Sequence, residues 1–107
     1  MIEIAPEAAL ELLDACAFYD AQHSGLGTVF RVVWQQTVDA VEAAPLAFPV
    51  HPFVQVEGIR RALVLGPPRF PYALAYLIHP RGHVSVLATE HLRRVPGYWS
   101  PGHHEDE

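Results

Sequence analysis

The chain of 107 residues is long enough for one domain, and half of its residues are hydrophobic, so it can bury a real core. Its net charge is -5, and its seven basic residues are all arginine. This balance argues against a general nucleic-acid binder, because cations that contact phosphates supply most of that affinity. Six of the seven arginines lie between Arg60 and Arg94, which still allows a locally basic face.

Neither a membrane span nor an export signal is visible in the sequence. No apolar run is long enough to cross a bilayer, and residues 1–4 lack the basic and apolar regions of a signal peptide. The single cysteine, Cys16, cannot form an internal disulfide, which suits a reducing compartment. We therefore expect a cytoplasmic protein without a membrane partner.

The N-terminal part predicts a short strand over Ile2–Ile4 and then a helix over Pro6–Gln22. Proline suits the first turn of a helix, and Glu7 lies near the positive end of the helix dipole. The predicted buried face consists of Ala9, Leu12, Leu13 and Cys16, with Tyr19 at its margin. An acidic stripe on the opposite side consists of Glu7, Glu11 and Asp14, and Phe18 continues it.

A glycine-rich break at residues 24–27 separates this helix from a second one, predicted over residues 28–44. The second helix has apolar or small residues at helical spacing, namely Phe30, Val33, Trp34, Thr37, Val38 and Val41. Pro45 ends it. A short break between two amphipathic helices predicts an antiparallel helical hairpin.

The C-terminal half predicts strands. Residues 45–57 hold three prolines and form an irregular connection, and alternating patterns follow at 59–65, 72–79 and 83–91. Residues 80–82, Pro-Arg-Gly, are typical of a hairpin turn. Both faces of the last two strands are largely apolar, so we expect them to be central in the sheet or covered by a partner.

The predicted fold is therefore α+β, with the order β-α-α-β-β-β. The short N-terminal strand and the helical hairpin pack on a mostly antiparallel sheet of three to four strands. One domain covers residues 1–99. Residues 100–107 are acidic and histidine-containing, without apolar content, and are expected to form a flexible tail.

Short motifs run along almost the whole of this predicted domain. They are Phe18-Tyr19-Asp20 with Gly25-Leu26-Gly27 and Phe30, Pro45 with Phe48-Pro49, Gly58-Ile59-Arg60-Arg61, Phe70-Pro71-Tyr72-Ala73-Leu74-Ala75-Tyr76, and His91-Leu92-Arg93-Arg94-Val95-Pro96-Gly97-Tyr98-Trp99. In this order and spacing they resemble the RelE/ParE toxin superfamily. The ending most resembles the ParE-type branch of plasmid stabilisation proteins.

The resemblance implies the toxin of a type II toxin–antitoxin system, held inactive by a small cognate antitoxin. RelE-like members cut messenger RNA on the ribosome without a metal, whereas ParE-like members poison DNA gyrase. No cofactor is implied in either branch. The resemblance leaves the oligomeric state open, a homodimer included.

The RelE-like chemistry depends on several cations around one phosphate. At the position of an arginine in that branch, this sequence has Ala73. The remaining candidates for catalysis are Arg61, Arg93, Arg94 and Tyr98. The missing cation favours the ParE-like branch and a protein without chemistry of its own.

Candidates for contact with a target or an antitoxin are Phe18, Arg60, His91, Arg93, Arg94 and Trp99. Each also has a plainer interpretation. Phe18 could be covered by the 45–57 connection, and His91 could make a structural hydrogen bond. Tyr98 and Trp99 either stack on a partner or anchor the C-terminus to the domain.

Two further expectations concern the charged and metal-ligating side chains. Arg60 and Arg61 should point to opposite faces of one strand, one to solvent and one to an acid of the helices. Metal binding is not expected. His23, His51, His79 and His83 are scattered without a ligand spacing, and His103 and His104 are adjacent in the tail.

Three functions remain in competition. The first is gyrase inhibition by protein–protein contact, and the second is a ribosome-dependent endoribonuclease. The third is a non-toxic relative that only binds its antitoxin.

Overall fold

Two antiparallel helices pack against one face of a four-stranded sheet in the computed structural model, which describes residues 1–95 and 97–99. The predicted tail, residues 100–107, lies outside the described residues. The elements are β1 (Ile2–Ile4), α1 (Pro6–Gln22), α2 (Leu26–Ala43), a 3-10 turn (Pro45–Ala47), β2 (Ile59–Leu63), β3 (Tyr72–Ile78) and β4 (Val84–His91). The predicted element order and the α+β class are confirmed.

The two helices differ in how well their spacing predicted the buried face. In α2 every predicted core position is buried. In α1 the buried residues are Ala8, Leu12 and Ala15, while Leu13 is 57% exposed, so its predicted burial is wrong. Apolar residues surround most of α1, so periodicity alone could not fix which side would face the sheet.

The corner of the helical hairpin explains the glycines of the first motif. Gly25 has a φ of 91°, and α2 begins directly after it, two residues earlier than predicted. Asp20 Oδ1 accepts a 2.8 Å hydrogen bond from the backbone N–H of Gly27 and so caps α2. A Cβ at Gly27 would lie 2.3 Å from the carbonyl oxygen of Cys16, so glycine permits the close approach of the two helices.

The sheet has the strand order β1-β4-β3-β2. β1 runs parallel to β4, and the other pairs are antiparallel, as expected for a mostly antiparallel sheet. β3 lies between β2 and β4, and β4 lies between β3 and β1 over residues 84–86, which agrees with the central position expected for these two strands. β1 pairs only with residues 84–86, so the rest of β4 has a free edge beside α1.

An aromatic cluster fills the core between the helical hairpin and the sheet. Tyr19, Phe30, Phe70 and Tyr72 place their ring centroids 4.9 to 6.3 Å apart. Phe30 and Phe70 therefore belong to the core, and Tyr19 and Tyr72 pack against it.

Within residues 1–95 and 97–99, neither helix combines the length and apolarity needed to cross a membrane.

Candidate functional site

Two clusters, each centred on a glutamate, lie on opposite sides of the C-terminal half of β4. The open cluster consists of Glu11, Arg94 and Tyr98, and it lies between α1 and the free edge of β4. The buried cluster consists of His51, Arg61, Glu90 and Trp99, and it lies on the sheet face away from the helices. The two arginines and the two aromatic residues of these clusters were all selected as site candidates from the sequence.

In the open cluster, Glu11 supplies a hydrogen-bond acceptor to a backbone N–H that no neighbouring strand pairs. The N–H of Thr89 points to the free edge of β4 and donates a 2.9 Å hydrogen bond to Oε1 of Glu11. The other oxygen, Oε2, accepts the hydroxyl of Tyr98. Arg94 Nη1 lies 3.6 Å from the same Oε2, and the guanidinium carbon lies 3.6 Å from the ring centroid of Tyr98.

This environment fixes the protonation state of Tyr98. Burial and the hydrogen bond to Glu11 raise the pKa of its phenol well above the ordinary value. The phenol therefore remains a hydrogen-bond donor throughout the physiological range. A group in this state is a poor general base.

Beside the open cluster lies a pocket of about 230 Å³, which Phe18, Tyr72 and His91 help to line. Phe18 is 57% exposed, so the 45–57 connection does not cover it. Leu10 and Leu13 are comparably exposed on the same helix. We call Leu10, Leu13 and Phe18 the α1 surface. These apolar side chains lie on the exposed part of α1, with Asp14 of the predicted acidic stripe between Leu10 and Phe18.

In the buried cluster, three side chains surround the carboxylate of Glu90, which is 4% exposed. Oε1 accepts a 2.7 Å hydrogen bond from Trp99 Nε1, and Oε2 lies 2.9 Å from His51 Nε2. Because the backbone N–H of Phe53 donates to His51 Nδ1, the proton of the ring lies on Nε2, facing Glu90. Arg61 Nε completes the cluster as an ion pair 3.1 Å from Oε2 that is not aligned as a hydrogen bond.

The two neighbouring arginines of β2 do lie on opposite faces. Arg60 donates to the carbonyl oxygen of Phe48, whereas Arg61 pairs with Glu90. The expectation that one of them meets an acid of the helices is wrong, because that acid belongs to β4. β3 lies between β2 and β4 and pairs with both. The long side chain of Arg61 therefore reaches Glu90 diagonally across the small side chains of Ala73 and Ala75.

The remaining candidates lie at the end of β4. His91 Nδ1 accepts a 3.0 Å hydrogen bond from the backbone N–H of Arg93, and its ring packs on Tyr72. This is the structural bond considered for His91. Arg93 is exposed. Tyr98 and Trp99 both anchor the C-terminal segment, each to a different glutamate.

The four catalytic candidates therefore do not surround one point. Arg61 belongs to the buried cluster, while Arg94 and Tyr98 belong to the open one, on the other side of β4. A carboxylate accompanies each of the two arginines. This arrangement holds the chain together but does not present convergent cations to a phosphate.

Sequence reasoning missed the acids and one histidine. Glu11 was placed on a solvent-facing stripe, yet it turns to β4, and His51 and Glu90 were not selected at all. Glu90 did carry a signal, since an acid within an apolar central strand must find partners when it is buried. His51 offered none, because its partner is 39 positions away.

Neither a known protein-family profile nor a curated protein matches this sequence. A solved structure does match. A chain described as the chromosomal ParDE TA system from P. aeruginosa superposes with a TM-score of 0.61 at 18% identity, over 86% of this chain and 95% of that chain. The two chains share a fold. The fold expected from the RelE/ParE resemblance is thereby confirmed.

Proposed function

We propose that this chain is the ParE-like toxin of a type II toxin–antitoxin system, that it inhibits DNA gyrase by protein–protein contact, and that a cognate antitoxin neutralises it. Two findings support the proposal: the shared fold with a ParDE system chain and the motif series that resembles the superfamily. The observation that favours a binding toxin over a ribonuclease is the separation of Arg61 from Arg94 and Tyr98 by β4.

Phosphate chemistry without a metal requires cations aimed at the charge that develops in the transition state. Here Glu90 lies 3.1 Å from Arg61, and Glu11 lies 3.6 Å from Arg94, so an incoming phosphate would meet carboxylates. The position that carries an arginine in RelE-like members is the fully buried Ala73, directly opposite Glu90 in the sheet. These features support a function through surface contact.

The α1 surface and the open cluster together suit an antitoxin segment. Exposed Leu10 and Phe18 offer apolar contacts, and Arg94 offers charge beside both, since it lines a pocket with each of them. An amphipathic helix with apolar side chains at helical spacing and an acid among them would fit these features. Phe18 is the residue we expect at the centre of that contact, because it is the aromatic side chain of the α1 surface.

The function is tested first by pulse-labelling of DNA and protein synthesis after tightly regulated expression in a bacterial host. We expect DNA synthesis to fall first, and purified chain to inhibit supercoiling by gyrase until antitoxin is added. If protein synthesis falls first and messenger RNA is cut at codon positions, the ribonuclease function replaces this one. If neither falls although antitoxin binds, the chain is a non-toxic antitoxin-binding relative.

The antitoxin contact is tested with a matched pair of variants. Phe18→Asp should weaken antitoxin binding by more than about tenfold, a loss typical of a central contact. Val32→Asp is the control, since Val32 is 51% exposed but lies on α2. Equal losses in both variants would show that charge on any helix, and not the α1 surface, weakens the complex.

A further inference from the structure

A third group of polar side chains lies at the far end of the sheet, away from both clusters. Glu3 of β1 and the two histidines that flank the β3–β4 turn, His79 and His83, bring one ligand atom each within 4.8 Å of one another. Metal binding was not expected from the sequence, although three residues separate His79 from His83, a spacing that zinc ligands use. The β3–β4 hairpin makes these two residues neighbours.

The geometry of the turn explains the pairing of the histidines. Gly82 adopts a φ of 97°, and the backbone N–H of His79 donates a 2.9 Å hydrogen bond to the carbonyl of His83. Residues 79 and 83 thus face each other across the hairpin. Their rings stack with centroids 3.9 Å apart and an interplanar angle of 9°.

Glu3 reaches the same place through the parallel pairing of β1 with β4. Glu3 lies opposite Ser85 in the register. The hydroxyl of Ser85, which is 6% exposed as a residue, donates to Glu3 Oε1 at 2.7 Å and lies 2.7 Å from His79 Nε2. A buried hydroxyl therefore positions a carboxylate and an imidazole side by side, which is what outer hydrogen bonds do for metal ligands.

We propose that Glu3, His79 and His83 form a binding site for one divalent first-row transition-metal ion, with Zn²⁺ as the representative ion. Two imidazoles and one carboxylate are a donor set that suits such ions, whereas Mg²⁺ and Ca²⁺ prefer oxygen ligands alone. Ligands of a tetrahedral Zn²⁺ lie about 3.4 Å apart, given bonds of about 2.1 Å. Glu3 is exposed and both histidines are half-buried, so side-chain rotations can bring the three ligand atoms from within 4.8 Å to the shorter distances of a tetrahedral site.

A bound ion would join the N-terminal strand to the hairpin. β1 has three residues and pairs with one neighbouring strand, so its attachment to the sheet is short. An ion held by Glu3 and by both histidines adds a cross-link between these elements, and binding to the folded chain alone raises its stability. The proposal is independent of the toxin function.

The test is calorimetric titration of the full chain with Zn²⁺, using protein made without a histidine tag. His103 and His104 are rival ligands, so all proteins carry His103→Gln and His104→Gln. In this background we expect one Zn²⁺ per chain, a rise in melting temperature on adding Zn²⁺, and visible absorption of bound Co²⁺. Mg²⁺ should produce no such rise.

Single variants then locate the ion. His83→Gln and Glu3→Gln should abolish stoichiometric binding and the thermal shift, and Ser85→Ala should weaken binding by about 10- to 100-fold. His23→Gln, at an exposed position near the end of α1, is the matched control and should bind like the parent. Unchanged binding in Glu3→Gln, which retains an oxygen that can accept from Ser85, would overturn the proposal. So would absence of binding in the parent.

Discussion

The open and the buried cluster use nearly the same chemistry in opposite surroundings. Tyr98 and Trp99 are consecutive, yet each donates to a different glutamate, one on either side of β4. Each glutamate also has an arginine, but Arg94 is 53% exposed in its side chain and Arg61 is 15% exposed. The comparison shows that solvent access, and not residue type, separates a buried ion pair from one that stays accessible at the surface.

Removing the acid of the buried cluster should have the largest effect on stability. Glu90→Ala leaves a largely buried Arg61 without its carboxylate and removes the acceptor of His51 and Trp99. We expect a loss of about 3–5 kcal/mol in the free energy of unfolding, measured by urea denaturation. Glu42→Ala, which removes an exposed acid 3.9 Å from the N-terminal amine, is the control and should cost about 0–1 kcal/mol. Similar losses in the two variants would mean that Glu90 is not buried as described.

Removing the acid of the open cluster should cost less. Glu11→Ala removes the acceptor of the Thr89 N–H and of the Tyr98 hydroxyl, and we expect a loss of about 1–3 kcal/mol. Glu11→Gln retains an oxygen that can accept from Thr89, so urea denaturation should show most of the stability restored. If Gln and Ala are equally destabilising, the charge of Glu11 matters more than its hydrogen bond to β4.

The open cluster also predicts a dependence on alkaline pH. Burial, with help from Glu11, raises the pKa of Tyr98 in the folded chain above the value of about 10 that the unfolded chain has. The unfolded state therefore loses this proton first, so the contribution of Tyr98 is fully present below about pH 10 and is lost as the pH rises further. Tyr76, whose pKa burial raises to about 12, acts in the same direction.

This dependence is measured as the urea midpoint at pH values on both sides of about 10. Tyr98→Phe should flatten the decline, because it removes one of the phenols responsible. Burial raises the pKa of all four tyrosines of the chain, so the unsubstituted chain is the reference for the slope. An unchanged slope in Tyr98→Phe would assign the decline to the other tyrosines.

Substitution of the exposed arginine of the open cluster should have the smallest effect on stability. Arg94→Ala should change the free energy of unfolding by less than about 1 kcal/mol, because its side chain is half exposed and its Nη1 lies 3.6 Å from Oε2 of Glu11. Its effect on antitoxin affinity should be larger than its effect on stability. Arg81→Ala, at the exposed hairpin turn, is the control for both measurements. A large loss of stability in Arg94→Ala would make the open cluster structural like the buried one.

The elements with a strong local pattern were predictable. Phe30, Val33 and Trp34 of α2 recur at helical spacing opposite a polar face, and they are buried as predicted. α1 was not predictable to the same degree, because its leucines lie on several sides, and contact with the sheet selected Leu12 and left Leu13 exposed. Arg61 and Arg94 were selected as candidates from the sequence, but their acidic partners Glu90 and Glu11 were not predicted.

Local patterns in the sequence were enough to predict the order of the elements, the helical hairpin and the turn at residues 80–82, and the motifs were enough to predict the fold. These depend on periodicity and on turn chemistry, which act between near neighbours in the chain. The hydrogen bonds of Glu11 to Thr89, 78 positions away, and of Ser85 to Glu3, 82 positions away, are visible in the folded chain alone. Such pairs form when distant strands and helices dock, and no local pattern records which side chains will then face each other.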